Sequence, residues 1–124
     1  MFDPRKPTVQ LLGRWQPWHD GHTELFKRAH AKTGQVCIMI RDMPTDKDNP
    51  YAMGMRRNTI IEALSKAEFK EGTDYIITVV PNIADITYGR NVGYSITQEH
   101  LGEEIEKISA TKIRQEDLEY LREP

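Results

Sequence analysis

The chain has 124 residues, a formal net charge of −2 at pH 7 and one cysteine, Cys37. This length suits a single domain, 1–124, with a core of its own, while a lone cysteine excludes an internal disulfide framework and fits a reducing, cytoplasmic compartment. The mildly acidic balance carries no global mark of nucleic-acid binding, no apolar run approaches a membrane span, and residues 1–8 lack the apolar stretch of a secretory signal. In chain order, residues 9–13 read as a short buried strand closed by Gly13. Leu25, Phe26, Ala29 and His30 then recur at helical spacing, so a helix starts near Asp20 or Gly21 and stops at Gly34. Residues 35–41 form a near-continuous apolar run, suited to a parallel strand covered on both faces. Residues 42–50, rich in Asp, Asn and Pro, read as a loop. A second helix is expected over 53–67, with Ile60, Ile61, Leu64 and Ala67 on one face, followed by a strand over 75–80 that Pro81 stops. Residues 83–88 and 94–97 are shorter strand candidates, and 111–121 reads as a terminal helix with Ser109 as a cap.

Alternating strands and helices predict an α/β fold, a Rossmann-like three-layer α/β/α sandwich on a mostly parallel sheet. In such sheets ligands bind outside the carboxyl ends of the strands, where Gly13, Arg41 and Pro81 fall. A sheet this small has edges that need cover, and a homodimer is consistent with that need.

Two clusters carry the chemistry. The first is Gly13-Arg14-Trp15-Gln16-Pro17-Trp18-His19-Asp20-Gly21-His22, at the junction of the first strand and the first helix. His19 and His22, three apart at a helix start, can face one ligand where backbone N–H groups and the helix dipole favour anions. Gly13 and Gly21 allow close approach of a ligand, and Arg14 suits phosphate through its forked donors. Trp15 and Trp18 read as core aromatics. Zinc is the weaker alternative: Asp20 could add a third ligand, but helical zinc sites place their histidines four apart. The second cluster, Ile108-Ser109-Ala110-Thr111-Lys112-Ile113-Arg114, places hydroxyls and basic residues at the start of the last helix. Between the two, Arg56 or Arg57 can point into the crevice, Lys47 can fold over a polyphosphate, and Arg90 is a candidate substrate contact in a glycine-flanked turn. Neither Gly-x-Gly-x-x-Gly nor the phosphate-loop motif occurs, which disfavours dinucleotide-binding and phosphate-loop proteins.

The first cluster resembles the Gly-Arg-Phe-Gln-Pro-x-His-x-Gly-His signature of the HxGH nucleotidylyltransferase superfamily, and the second resembles its Ile-Ser-x-Thr-x-Ile-Arg signature. Asn49-Pro50-Tyr51-Ala52-Met53-Gly54-Met55-Arg56 is similar to a segment of the nicotinamide-mononucleotide adenylyltransferase branch, with Met55 in place of its glutamate. The resemblance implies transfer of a nucleoside monophosphate to a phosphate or phosphonate oxygen, with pyrophosphate leaving and Mg²⁺ assisting. His19 and His22 would stabilise charge on the transferred phosphoryl group, helped by Arg14, Lys47 and Arg56. Ser109 and Thr111 would hold the outer phosphates beside Ile108, while Gly13, Gln16, Gly21, Pro81 and Arg90 would line the nucleotide groove. This assignment leaves Arg57 on the surface. The short stretch between Pro81 and Ile108 resembles the small cytidylyltransferases and favours CTP, whereas the Gln-Pro form of the first motif points to ATP and an adenylyltransferase. A non-catalytic nucleotide-binding module is the remaining alternative. The partners implied are the triphosphate and a small phosphorylated or phosphonate metabolite, with neither nucleic acid nor membrane.

Overall fold

A computed structural model describes residues 1–90 and 93–101. Ile108, Ser109, Thr111 and the helix expected over 111–121 lie outside the described residues. Three strands, β1 (Val9–Gly13), β2 (Val36–Arg41) and β3 (Tyr75–Val80), alternate with two helices, α1 (Asp20–Thr33) and α2 (Met53–Lys66). The sheet is parallel in the order β1-β2-β3, with Leu11, Ile38 and Ile77 in register across it. Strand order and helix placement are those of a Rossmann-like three-layer α/β/α sandwich with a parallel sheet, as the element order leads one to expect. Among the described residues, α1 and α2 touch each other. Two successive right-handed crossovers in one direction put both on the same face of the sheet.

That face holds the core. Leu11, Val36, Ile38, Ile40 and Tyr75 from the sheet pack against Phe26 and Ala29 of α1 and Ile60 and Leu64 of α2. Each large apolar side chain removed from water contributes about 1.5–3 kcal/mol. The Phe26 ring meets Phe69 and Tyr75 edge-on. Cys37 and Met39, on the opposite pleat of β2, are only partly buried. Gly34 ends α1 at φ 80°, a left-handed conformation in which its N–H reaches the His30 carbonyl at 2.7 Å. At the amino end of the sheet, the buried Gln35 side chain ties down the N-terminal segment through Asp3 and Thr8.

The two short strands expected over 83–88 and 94–97 do not form. Pro81 cannot donate to a ladder, and the Ile83 N–H turns back to the Pro81 carbonyl at 2.7 Å. The Thr87 hydroxyl donates to the Asp85 carboxylate, another local bond that competes with pairing. Ile86, Tyr88, Tyr94 and Ile96 are each more than half exposed, so alternation here has no face to bury. The segment ends on α1, where Arg28 and Lys32 both meet the Glu99 carboxylate.

Candidate active site

The carboxyl end of β1 leads directly into α1, and the ten-residue motif fills this turn. His19 is extended (φ −137°, ψ −179°) and is the N-cap of α1. Its Nδ1 accepts from the Gly21 N–H at 3.1 Å, and the His19 N–H donates to Nδ1 of His22 at 3.1 Å. The two imidazoles thus form a reciprocal capping box, a role usually taken by Ser or Thr with Glu. Their rings stack at 3.7 Å with an interplanar angle of 21°.

This geometry sets the protonation state. A ring nitrogen that accepts a hydrogen bond carries no proton, so each neutral ring bears its hydrogen on Nε2. Burial pushes the His22 pKa down to about 3, with His19 adding to the effect. Burial also lowers His19, against the opposing pull of Asp20. Both rings are neutral at pH 7 and offer Nε2–H as a donor. Trp15 and Trp18, 5% and 4% exposed, enclose His22 with ring centroids at 4.9 and 5.4 Å. They are core aromatics, as expected, and they also supply the low-dielectric wall behind the histidine.

The expectation that free backbone amides of α1 present themselves to an anion needs correction. The Gly21 N–H is taken by His19 Nδ1, and the His22 and Thr23 N–H groups point to the His19 carbonyl at 2.9 and 3.1 Å. The helix start offers imidazole donors and its dipole rather than those amides. The same bonding weakens the zinc alternative, because an Nε2–H has no lone pair for a metal. Among the described residues no group of three or more His, Cys, Asp or Glu side chains could hold a metal ion.

Several other motif residues prove to be internal scaffolding. Trp15 takes a left-handed conformation (φ 52°) and folds its indole back over Gly13, donating Nε1–H to the Met39 carbonyl at 3.0 Å. A Cβ on Gly13 would come within 2.8 Å of that ring, so this glycine makes room for Trp15. Gln16, 2% exposed, precedes a cis bond to Pro17 and pairs with both the N–H and the carbonyl of Tyr51, joining the first loop to the segment before α2. Gly21 is buried. Arg56, 3% exposed, donates Nη1 to the carbonyls of Arg14 and Arg41 at 2.9 and 3.0 Å. It clips the loops after β1 and β2 together from beneath. Burial pulls its pKa below the ordinary arginine value, with Asp42 opposing. Arg57 lies on the surface, paired with Glu71.

The structure brings Arg14 to the same end of the sheet, where its Nη1 makes a long contact of 3.4 Å to the buried Asn49 Oδ1. Asn49 is held in turn by Asp46. Lys47 is exposed on this loop, and Pro81 and Arg90 are exposed beyond β3. Sequence reasoning placed Arg41 at a carboxyl strand end without giving it a role and passed over Asn82; the two side chains meet at 2.8 Å across the carboxyl ends of β2 and β3. The available signal was a lone charge ending an apolar run.

A parallel sheet with a histidine-capped helix at its first strand–helix turn defines a Rossmann-like α/β domain. The profile of the cytidylyltransferase-like family matches residues 11–102, and the chain belongs to that nucleotidyltransferase family. The nicotinamide-nucleotide adenylyltransferase of Methanococcus aeolicus is 34% identical over 61 residues, 48% of this chain and 36% of that protein. The protein of the same name from Methanococcus maripaludis is 31% identical over 80 residues, 63% of this chain and 43% of that protein. The matches thus span less than half the length of these relatives.

Proposed function

We infer that this protein transfers a nucleoside monophosphate from a nucleoside triphosphate to a phosphorylated acceptor, and that the triphosphate is ATP. The observation that carries the reading is the His19–His22 pair, with both Nδ1 atoms engaged and both Nε2–H groups left as donors. Support for ATP over the CTP expected from chain length comes from the adenylyltransferase names of the relatives. The description of the matching family keeps CTP as the second reading.

In the reaction an acceptor phosphate oxygen attacks the α-phosphorus. The new P–O bond forms as the bond to the bridging oxygen breaks, and pyrophosphate departs with the electron pair. Negative charge builds on the α-phosphoryl oxygens and the bridging oxygen. Two neutral, preoriented Nε2–H donors in a site walled by tryptophan stabilise that charge without having to reorient. Neither ring needs to lose or gain a proton. Arg14 adds positive charge beside them, and Arg56 holds the Arg14 backbone in place. A divalent cation accompanying the triphosphate would offset its charge and polarise the phosphoryl group.

The test is pyrophosphate release by the full chain with Mg²⁺, ATP or CTP, and a panel of acceptors led by nicotinamide mononucleotide. Release with ATP and one phosphorylated acceptor is expected. Release only with CTP transfers the reading to cytidylyl transfer. Tight triphosphate binding with no release for any pair makes the chain a binding module.

A further inference from the structure

Transfer between two anionic substrates requires two anion sites side by side, and this inference rests on the nucleotidyl-transfer reading. The first site lies at the start of α1, beside β1. We propose that Arg41, oriented by Asn82, is the second: it receives the phosphate or other anionic group of the acceptor and so helps to decide which acceptor is used.

Three arginines converge on the carboxyl ends of β1 and β2, and none of them forms an ion pair among the described residues. Each is held instead by neutral oxygen: Arg14 by Asn49 Oδ1, Arg56 by two backbone carbonyls, and Arg41 by Asn82 Oδ1. The ion-paired cations Lys27, Arg28, Lys32 and Arg57 all lie on α1 and α2, away from the strand ends. Amides and carbonyls orient a guanidinium without cancelling its charge, which suits a site that waits for an anion. Asp42 and Asp46 contribute only longer-range attraction, to Arg56 and Arg14 respectively.

The three arginines have different tasks. Arg56 is buried and reaches backbone only, and Arg14 lies in the turn that leads to His19. Arg41 ends the central strand, and its contact with Asn82 carries the guanidinium over the end of β3. Its Nε–H, like that of Arg56, is enclosed and has no acceptor among the described residues. The same guanidinium edge carries a second hydrogen on Nη2, so the edge matches two oxygens of one phosphate or carboxylate. The side chain is partly exposed, and its outer torsions can turn that edge to a ligand. An anion there would lie over the β2–β3 ends while the triphosphate occupies the β1–α1 turn, as in-line transfer between them requires.

The experiment saturates the first site with α,β-methylene-ATP, which cannot transfer its adenylyl group, and titrates nicotinamide mononucleotide and inorganic phosphate onto the complex. Wild type, Arg41→Gln and Asn82→Ala are compared, with thermal melts to verify folding. Arg41→Gln should weaken binding of both probes at least about tenfold, Asn82→Ala should weaken it less, and affinity for α,β-methylene-ATP should stay within about twofold. Arg41→Lys, which keeps the charge and loses the forked edge, should fall between wild type and Arg41→Gln. Unchanged probe binding in Arg41→Gln overturns the proposal, as does absence of probe binding in wild type. Equal loss of the nucleotide analogue also overturns it, by assigning Arg41 to the triphosphate. Failure of wild type to bind the nucleotide analogue refutes the choice of ATP on which the experiment rests and is seen before any acceptor is added.

Discussion

Substituting His22 isolates its donor role, because Asn reproduces only its capping nitrogen whereas Gln reproduces both. In His22→Asn, Oδ1 replaces Nδ1 as acceptor for the His19 N–H, now bonded at 3.1 Å, and the Nε2–H donor is lost. In His22→Gln, the terminal amide supplies both groups: Oε1 accepts from the His19 N–H, as glutamine at this position of a capping box does, and Nε2–H takes the donor position. Losing the ring contacts with Trp15, Trp18 and His19 costs about 0.5–1.5 kcal/mol for each aromatic pair. Both variants should therefore be less stable by roughly 2–4 kcal/mol, and at about 3–6 °C per kcal/mol the melting temperature reports this directly. Turnover should separate them. Removing one donor to a developing oxyanion typically lowers kcat about 10²–10³-fold, so His22→Asn should fall by that factor and His22→Gln by much less. The assay is pyrophosphate release well below each melting temperature. Full activity in His22→Asn would refute the donor role. Equal loss in both variants would show that ring packing is what matters.

Three further outcomes follow from the same geometry. With its folded pKa pushed down to about 3, His22 stays unprotonated in the native state while an unfolded chain takes up a proton near pH 6.5. Its stabilising contribution is complete above about pH 6.5 and is lost as pH falls toward 3, by up to about 1.4 kcal/mol per pH unit; denaturant melts from pH 7 to 4 should show a gentler slope in His22→Asn. Gly13→Ala forces a methyl against the Trp15 ring and should cost roughly 1–3 kcal/mol, with a changed near-ultraviolet circular dichroism signal. An unchanged melt would mean the indole shifts freely. Arg56→Met leaves two loop carbonyls without their charged donor and should cost about 3 kcal/mol or more in urea unfolding; near-wild-type stability would contradict the clip.

The five regular elements were legible because each has a periodic signal and a local stop. Gly34 ends α1, and Pro81 ends β3. Val36, Ile38 and Ile40 make β2 unmistakable. The segments over 83–88 and 94–97 misled because alternation promises a strand only when a neighbour and a buried face exist, and composition reports neither. Within the motif, the place of the histidines at the helix start was visible, but the way they bond there was not. A histidine that caps a helix through Nδ1 is rare enough that its spacing suggests free amides instead. Gly13, Gln16 and Arg56 looked like ligand contacts because polar and small residues at a strand end usually are. Here they face inward, and the cause is tertiary: Trp15 folds over Gly13, Tyr51 occupies Gln16, and two carbonyls occupy Arg56. The place of Arg41 at a carboxyl strand end was legible, but its contact with Asn82 comes from the pairing of β2 with β3, which composition does not report.

The central claim is that His19 and His22 meet the triphosphate as neutral Nε2–H donors, their Nδ1 atoms engaged by backbone. Nitrogen-15 NMR of the histidine rings at neutral pH, recorded with and without α,β-methylene-ATP, tests it most directly. Both Nδ1 resonances should be those of unprotonated, hydrogen-bonded nitrogen in either state, and both Nε2 resonances should carry a proton and move on binding. Rings protonated on Nδ1, or Nε2 signals indifferent to the nucleotide, would contradict the account.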